Sequence, residues 1–421
     1  MIRISTVTCK GSSLLYVLIL SIVILTLVLA LLLSYQLTEK QKSEIDSRIK
    51  LNQIISEVVS LEGANMKYLS QNSRLIDLYG DGSTLVRTNI YPWGNYQVAR
   101  IISVNNHKVD KVFLCGNSSS STDSNSLVIR HFVNEMGIGA QINLRNNILI
   151  NTLKIVPANI DNQSSAIDTF CKGNLEFSVD VEPLYNRENL LQERNIIFFE
   201  SSRALNDFKG TLVNSYKSPT LIRYSHEKIV INDSVIGNVV IHSDDSIKVG
   251  PNAYLSNCIL KGRCIIYSST KPSSAQLFAT DTILITKKAC LEYPSTIVLQ
   301  VKENNKAFRS IRLEDSVKFS GEIYAFDFSK PELCENILIQ TAPSSEINGC
   351  ISTNGYCDIH GKVHGQIDTQ GVLFVSSYGA QNNVLHKLHI NLNSLSPYFI
   401  YGFFYNSKGV NYENRLITWL N

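Results

Sequence analysis

The chain of 421 residues is long enough for two or three ordinary domains. Hydrophobic residues make up 44% and charged residues 18%, which excludes a disordered chain. Lys plus Arg exceed Asp plus Glu by only three (39 against 36), which excludes the strong positive field of a nucleic-acid binder.

The first element is apolar. Leu14 to Leu33 reads LLYVLILSIVILTLVLALLL, twenty residues without a charge. As a helix it spans about 30 Å, the thickness of a bilayer core. A cleaved secretory signal has an apolar run of roughly 7–15 residues and a small-residue cleavage site. This run is longer, and no such site follows Leu33. The segment over 14–35 is therefore predicted as a retained single-pass anchor in contact with lipid, preceded by a short basic leader over 1–13. Arg3 and Lys10 lie before it, and Lys40, Lys42, Arg48 and Lys50 after it. That count alone would keep the C-terminal side inside, but large domains translocate largely regardless of charge. Charge leaves the orientation even.

The start of the run settles the expectation. Lys10-Gly11-Ser12-Ser13-Leu14-Leu15-Tyr16 resembles the leader of type IV pilins and type II secretion pseudopilins. The resemblance implies cleavage by a prepilin peptidase between Gly11 and Ser12, on the cytoplasmic side. It implies an inner-membrane protein whose body is periplasmic or extracellular, with other pilin-like subunits as partners. The chain departs from that pattern at Ser12, where Phe or Met is usual, and at Tyr16, where most pilins carry Glu. Lacking that Glu, the chain resembles minor pilins and tip pseudopilins, which prime or cap a filament. A plain signal anchor that happens to carry Lys10-Gly11 is the alternative.

Residues 36–63 read as a membrane-proximal helix. Tyr35 to Glu62 has no Gly or Pro, and Leu51, Ile54, Ile55, Val58 and Leu61 fall at helical spacing. Glu44/Arg48 and Asp46/Lys50 are i,i+4 pairs of favourable order. Gly63 is the first interruption, so a helix from Ser12 to there matches a pilin stalk. A short coiled coil fits the same pattern.

Beyond Gly63 the pattern turns to strands, and the fold is expected to be mainly β. Residues 64–215 read as an irregular β-rich domain. Tyr96–Val104 and Val109–Leu114 make a hairpin around Asn105-Asn106, Gly116–Ser126 is a polar loop, and strands follow near Ile148, Ile155 and Ile196–Phe199. Over 216–375 short alternating runs recur. Ile247–Leu255 and Ile283–Leu291 both read I-x-[VI]-x-x-x-A-x-L, and Val240–Ser243 matches Ile265–Ser268. Ile347, Ile351, Ile359, Val363 and Ile367 keep a four- or eight-residue grid, with Gly349, Gly361 and Gly365 on a matching one. Inward-alternating apolar residues with small residues at corners are what the stacked rungs of a β-helix need. The region is predicted as a right-handed β-helix (β-solenoid) with a C-terminal cap over 376–421. An ordinary antiparallel β-domain remains open. The pattern resembles bactofilin-type solenoids. With the anchor, Phe278–Ile285, Leu291–Ser295 and Leu416–Leu420 resemble uncharacterised single-pass membrane proteins of Bacteroidota, which imply architecture and no activity.

Chemistry-bearing residues give no convergent signal. Eight of nine cysteines follow the anchor. Outside the cytoplasm Cys258/Cys264 and Cys350/Cys357 are near enough in sequence to pair, while several cysteines sit at apolar strand positions as small hydrophobes. No C-x-x-C occurs. His360/His364 and His386/His389 lie in strand-like sequence without a carboxylate cluster, so no metal or other cofactor is expected. His242, Asp244 and Asp245, near Lys248, form the best acidic cluster, in a turn-like stretch where Asp is common. Trp93 and Tyr398–Tyr405 suit core or capping roles better than sugar binding. No nucleophile, Walker or dinucleotide motif occurs, so no catalytic residue is assigned and no enzyme is expected. Two functions compete: an anchored structural or assembly protein, and a cell-surface β-helix module that binds or cleaves glycans. A nucleic-acid partner is not expected.

Overall fold

The computed structural model describes residues 10–63, 72–77, 80, 85–103, 110–118, 125–160, 170–177, 183, 185, 187–192, 203–204, 210–301, 307–328, 333–376, 378–405 and 413–420. The described residues are mainly β, with one apolar helix at the N-terminus.

That helix, α1, runs unbroken over Lys10–Gly63, 54 residues. At 1.5 Å per residue it is about 80 Å long. Its stretch Leu14–Asp46 is long and apolar enough to cross a bilayer, and every side chain along it is exposed. The predicted anchor and membrane-proximal helix are thus one element, consistent with the lack of Gly and Pro between Gly11 and Gly63.

A five-stranded antiparallel sheet follows, in the order Asn72–Asp77, Leu85–Trp93, Tyr96–Ser103, Asp110–Ser118, Glu413–Leu420. The predicted hairpin is its third and fourth strands, with Val98 opposite Leu114. The second and third strands join through Gly94-Asn95, where Gly94 has φ +59 at the first turn position, as a tight primed turn requires. Glu413–Leu420, expected in a C-terminal cap, is instead the edge strand beside Asp110–Ser118. It also touches α1.

The larger sheet is a wall of parallel pairings, save Gly379–Asn382, which pairs antiparallel with Gly361–Ser376. Ile229, Ile247, Ile265, Ile283, Ile311, Ile339, Cys357 and Val372 stand beside one another in register, one per strand. All eight are buried in a single core. Successive members are eighteen residues apart up to Ile283, then twenty-eight apart to Ile339, so the repeat is real but its length changes. Ile247–Leu255 and Ile283–Leu291 are equivalent, as their shared pattern predicts. Ile247, Val249, Ala253, Leu255, Ile283, Ile285, Ala289 and Leu291 all point into the core, Lys248 is exposed and Thr286 half-buried. The match of Val240–Ser243 to Ile265–Ser268 fails. Val240 stands beside Ile259, and Ile265 beside Ile247.

Within this wall six parallel strands close a barrel: Ser274–Ile285, Cys290–Gln300, Lys318–Phe326, Glu346–Ile359, Ile337–Thr341 and Arg309–Leu313. Closure depends on two bent strands. Ser274–Ile285 pairs with one neighbour at Gln276–Ala279 and with another at Thr282–Ile285. Glu346–Ile359 does the same at Glu346–Thr353 and Tyr356–Ile359. Gly321, Gly349 and Gly365 stand side by side at another bend, with φ of 148°, 145° and 153°. A Cβ on Gly349 would lie 1.7 Å from the carbonyl oxygen of Gly321, so only glycine fits. The predicted glycine grid holds at Gly349 and Gly365; Gly361 serves a separate turn.

Strands within 64–215 join this wall. Asn125–Ile138 lies parallel to Gly361–Ser376, and Asn147–Pro157 lies parallel to Asn125–Ile138. Arg130 and Asp368 bridge the first junction with two nitrogen–oxygen contacts of 2.6 and 2.9 Å. The predicted strand Ile196–Phe199 lies outside the described residues.

Candidate functional site

The outward face of the wall carries three polar assemblies. The first is buried where the antiparallel sheet sits on the wall. Trp93, Tyr96, Val98, Val112 and Leu114 from the sheet pack on Val240, Ile259, Phe278, Val298 and Tyr324 from the wall. Asn95, at the turn, is fully buried and acts as a hub. Its backbone N–H donates to Gln276 Oε1 at 2.7 Å, and its side-chain amide donates to Glu322 Oε2 at 2.7 Å and Thr296 Oγ1 at 3.2 Å. Its Oδ1 accepts from the Phe404 N–H at 2.8 Å. Glu322 also accepts from Tyr324 and the Gly402 N–H. Burial raises the Glu322 carboxyl above its ordinary value, and hydrogen bonds from Tyr324, Gly402 and Asn95 oppose that rise. This assembly ties turn, wall and the 399–405 segment together; its carboxylate is sealed from solvent and serves cohesion. Trp93, Tyr401 and Tyr405 are buried here, while Tyr398 is exposed.

The second assembly is the predicted acidic cluster. Asp244 accepts from the Tyr224 hydroxyl, lies 2.7 Å from His226 Nδ1 and 3.8 Å from His242 Nε2. The Tyr224 hydrogen bond, then that from His226, lowers the Asp244 carboxyl. Asp245 is lowered by its hydrogen bond from Arg263, at 2.8 Å. Each carboxylate is already held by its own donors, so the pair offers no free acid and base. Lys248 stands beside Ile266, away from the bulge that carries Asp244.

The third is a groove of about 530 Å3. Arg312, Gln340 and Asp358 form its floor, side by side on three neighbouring strands. Asp358 is buried; Gln340 donates to its Oδ2 at 2.8 Å, and His360 Nε2 lies 2.8 Å from its Oδ1. His360 Nδ1 faces the His386 carbonyl at 2.8 Å, and Thr341 pins the His360 backbone with bonds of 2.7 and 2.9 Å. Phe374 and His386 close one end. The histidine pair that meets is His360/His386, with ring centroids 6.3 Å apart. His364 instead contacts Ser394 and Glu346, and His389 is exposed. Spacing in sequence could not find this pair, because it forms just ahead of two strands, Gly361–Ser376 and Leu388–Asn391, that pair in the fold. Among the described residues no three His, Cys, Asp or Glu side chains are grouped to hold a metal ion.

The predicted cysteine pairs are corrected. Cys258, Cys264, Cys350 and Cys357 are free thiols. Cys258 and Cys264 share one strand, Tyr254–Tyr267, and Cys350 and Cys357 share another, Glu346–Ile359. At about 3.3 Å per residue each pair is too far apart to bridge. Burial pushes the Cys258 and Cys357 thiols up to about 12, which removes the reactive thiolate at neutral pH. Gly11 and Ser12 lie in the first turns of α1, and their side chains are outside the described residues. No protein family, curated protein or solved structure matches this chain.

Proposed function

We propose that this protein is a membrane-anchored extracytoplasmic assembly subunit of the minor-pilin or pseudopilin kind, held in the inner membrane by Leu14–Leu33, with a body coiled as a right-handed β-helix. The observation that carries the reading is α1. It is one unbroken helix of 54 residues, apolar and exposed over its first half, and it touches an antiparallel sheet at Glu413–Leu420. Exposed apolar surface of that size needs lipid or the helices of other subunits around it. Tyr16 puts no carboxylate into the bilayer, which suits a subunit that starts or caps a filament. Parallel strands stacked with an inward column of isoleucines support the coiled body, and right-handed crossovers are the rule between parallel strands.

Mass spectrometry of the native protein tests the reading. A mature chain that begins at Ser12, and a Gly11→Leu variant left unprocessed, are the expected results. A native chain that begins at Met1 removes the pilin kind and leaves a plain anchor. Protease added to spheroplasts should degrade the body; its full protection would reverse the topology.

A further inference from the structure

We propose that the groove over Arg312, Gln340 and Asp358 binds an acidic saccharide, a sugar of the uronic-acid type. The inference is independent of the assembly role. The floor is built in advance: buried Asp358 accepts from Gln340 and lies beside His360, whose backbone Thr341 pins. The acids around the groove are engaged within the protein. Asp315 lies 3.5 Å from Lys287 Nζ and accepts from Ser344, and Glu314 accepts from the Lys287 backbone N–H at 3.2 Å.

Arg312 is different. Its side chain is exposed, and among the described residues its guanidinium has no hydrogen bond or ion pair. A planar fork of five donors with nothing to accept from it selects an anion, and a carboxylate matches its geometry best. The next position in the same column is Gln340. One of its two Nε2 hydrogens goes to Asp358, which leaves the other to donate and Oε1 to accept. Neighbouring strands are about 4.8 Å apart, so the two side chains rise from backbone positions about one strand spacing apart. A ligand that fits carries a carboxylate and, close beside it on a rigid frame, a hydroxyl, which both donates and accepts. A pyranose uronic acid does so, whereas a simple anion has no donor for Gln340 Oε1. The groove's volume lies in the usual range of small-molecule sites.

The test uses the full chain in detergent micelles and isothermal titration with three probes: a glucuronic-acid trisaccharide, its carboxyl-reduced counterpart, and acetate. Saturable binding of the acidic trisaccharide alone is expected. Arg312→Ala should weaken it at least tenfold, Arg312→Lys should restore part of the loss, and the melting temperature should not move. Gln340→Leu should weaken binding of the trisaccharide as well. Equal binding of the reduced sugar would overturn the carboxylate contact. Binding of acetate in competition with the sugar, with Gln340→Leu silent, would reduce the groove to an anion site. No binding of the acidic trisaccharide, or unchanged binding by Arg312→Ala, would overturn the proposal outright.

Discussion

The parallel wall and the antiparallel sheet solve the same burial problem by opposite routes. In the wall each inward side chain rests on its counterpart one strand away, and the Ile229-to-Val372 column shows that the chain returns to the same register whether it takes eighteen residues or twenty-eight. In the sheet, Leu85–Trp93 and Tyr96–Ser103 are joined by a two-residue turn, yet the last strand is supplied by residues 413–420 from the other end of the chain. The wall is therefore held mainly by stacking neighbours and tolerates insertions between strands. The sheet depends on a few specific contacts that bring distant pieces together, chiefly Asn95 and Glu322. Loop length costs little once a register is fixed, whereas a long-range junction must be specified by the groups that meet there.

The largest test of this contrast breaks a stacked column. Val249→Asp puts a carboxylate into the dry core and should abolish folding of the body, a loss of several kcal/mol. Its neighbour Lys248→Asp, exposed, should leave the melting curve within about 0.5 kcal/mol of wild type. Equal effects at both positions would mean the wall is not packed as described. Next comes the junction between distant parts of the wall. Arg130→Ala removes the bidentate cation from the buried Asp368 carboxylate and should cost about 3 kcal/mol. Hydrogen exchange should then show Asn125–Ile138 opening while Ile247–Leu255 stays protected.

Asn95→Ala should cost about 2–3 kcal/mol, since it leaves Glu322 and the Phe404 N–H short of partners. Urea unfolding followed by Trp93 fluorescence should report the sheet loosening before the wall; a single unchanged transition would deny the hub its role. The smallest effect concerns pH. The Glu322 carboxyl is raised by burial in the folded state, so its contribution is fully present below its ordinary value of 4.5 and is lost as pH rises through the raised one. Wild type should gain stability relative to Glu322→Gln on acidification from neutral towards pH 4.5. A constant difference between the two across that range would refute it.

Some of the molecule was plain in the sequence. The run Leu14–Leu33, the absence of Gly and Pro between Gly11 and Gly63, and the alternation in Ile247–Leu255 and Ile283–Leu291 specify structure locally, because helix and strand periods are written in neighbouring residues. The Gly349/Gly365 bend was legible for the same reason: it depends on a residue type that only one backbone geometry demands. What the sequence could not reveal is set by contacts between remote residues. Nothing near Leu416 says that its strand will pair with Asp110–Ser118, and nothing near Leu127 says that it will stand beside Ile367. The cysteine pairs failed on this ground, since nearness along a strand is distance in space. The groove is also a product of tertiary structure. Arg312, Gln340 and Asp358 are twenty-eight and eighteen residues apart, and His360 meets His386 only because the strands that follow them pair, Gly361 beside Leu388. Periodicity decides which face of each strand is buried, but the register between strands decides which polar groups on the other face meet, and register belongs to the fold as a whole.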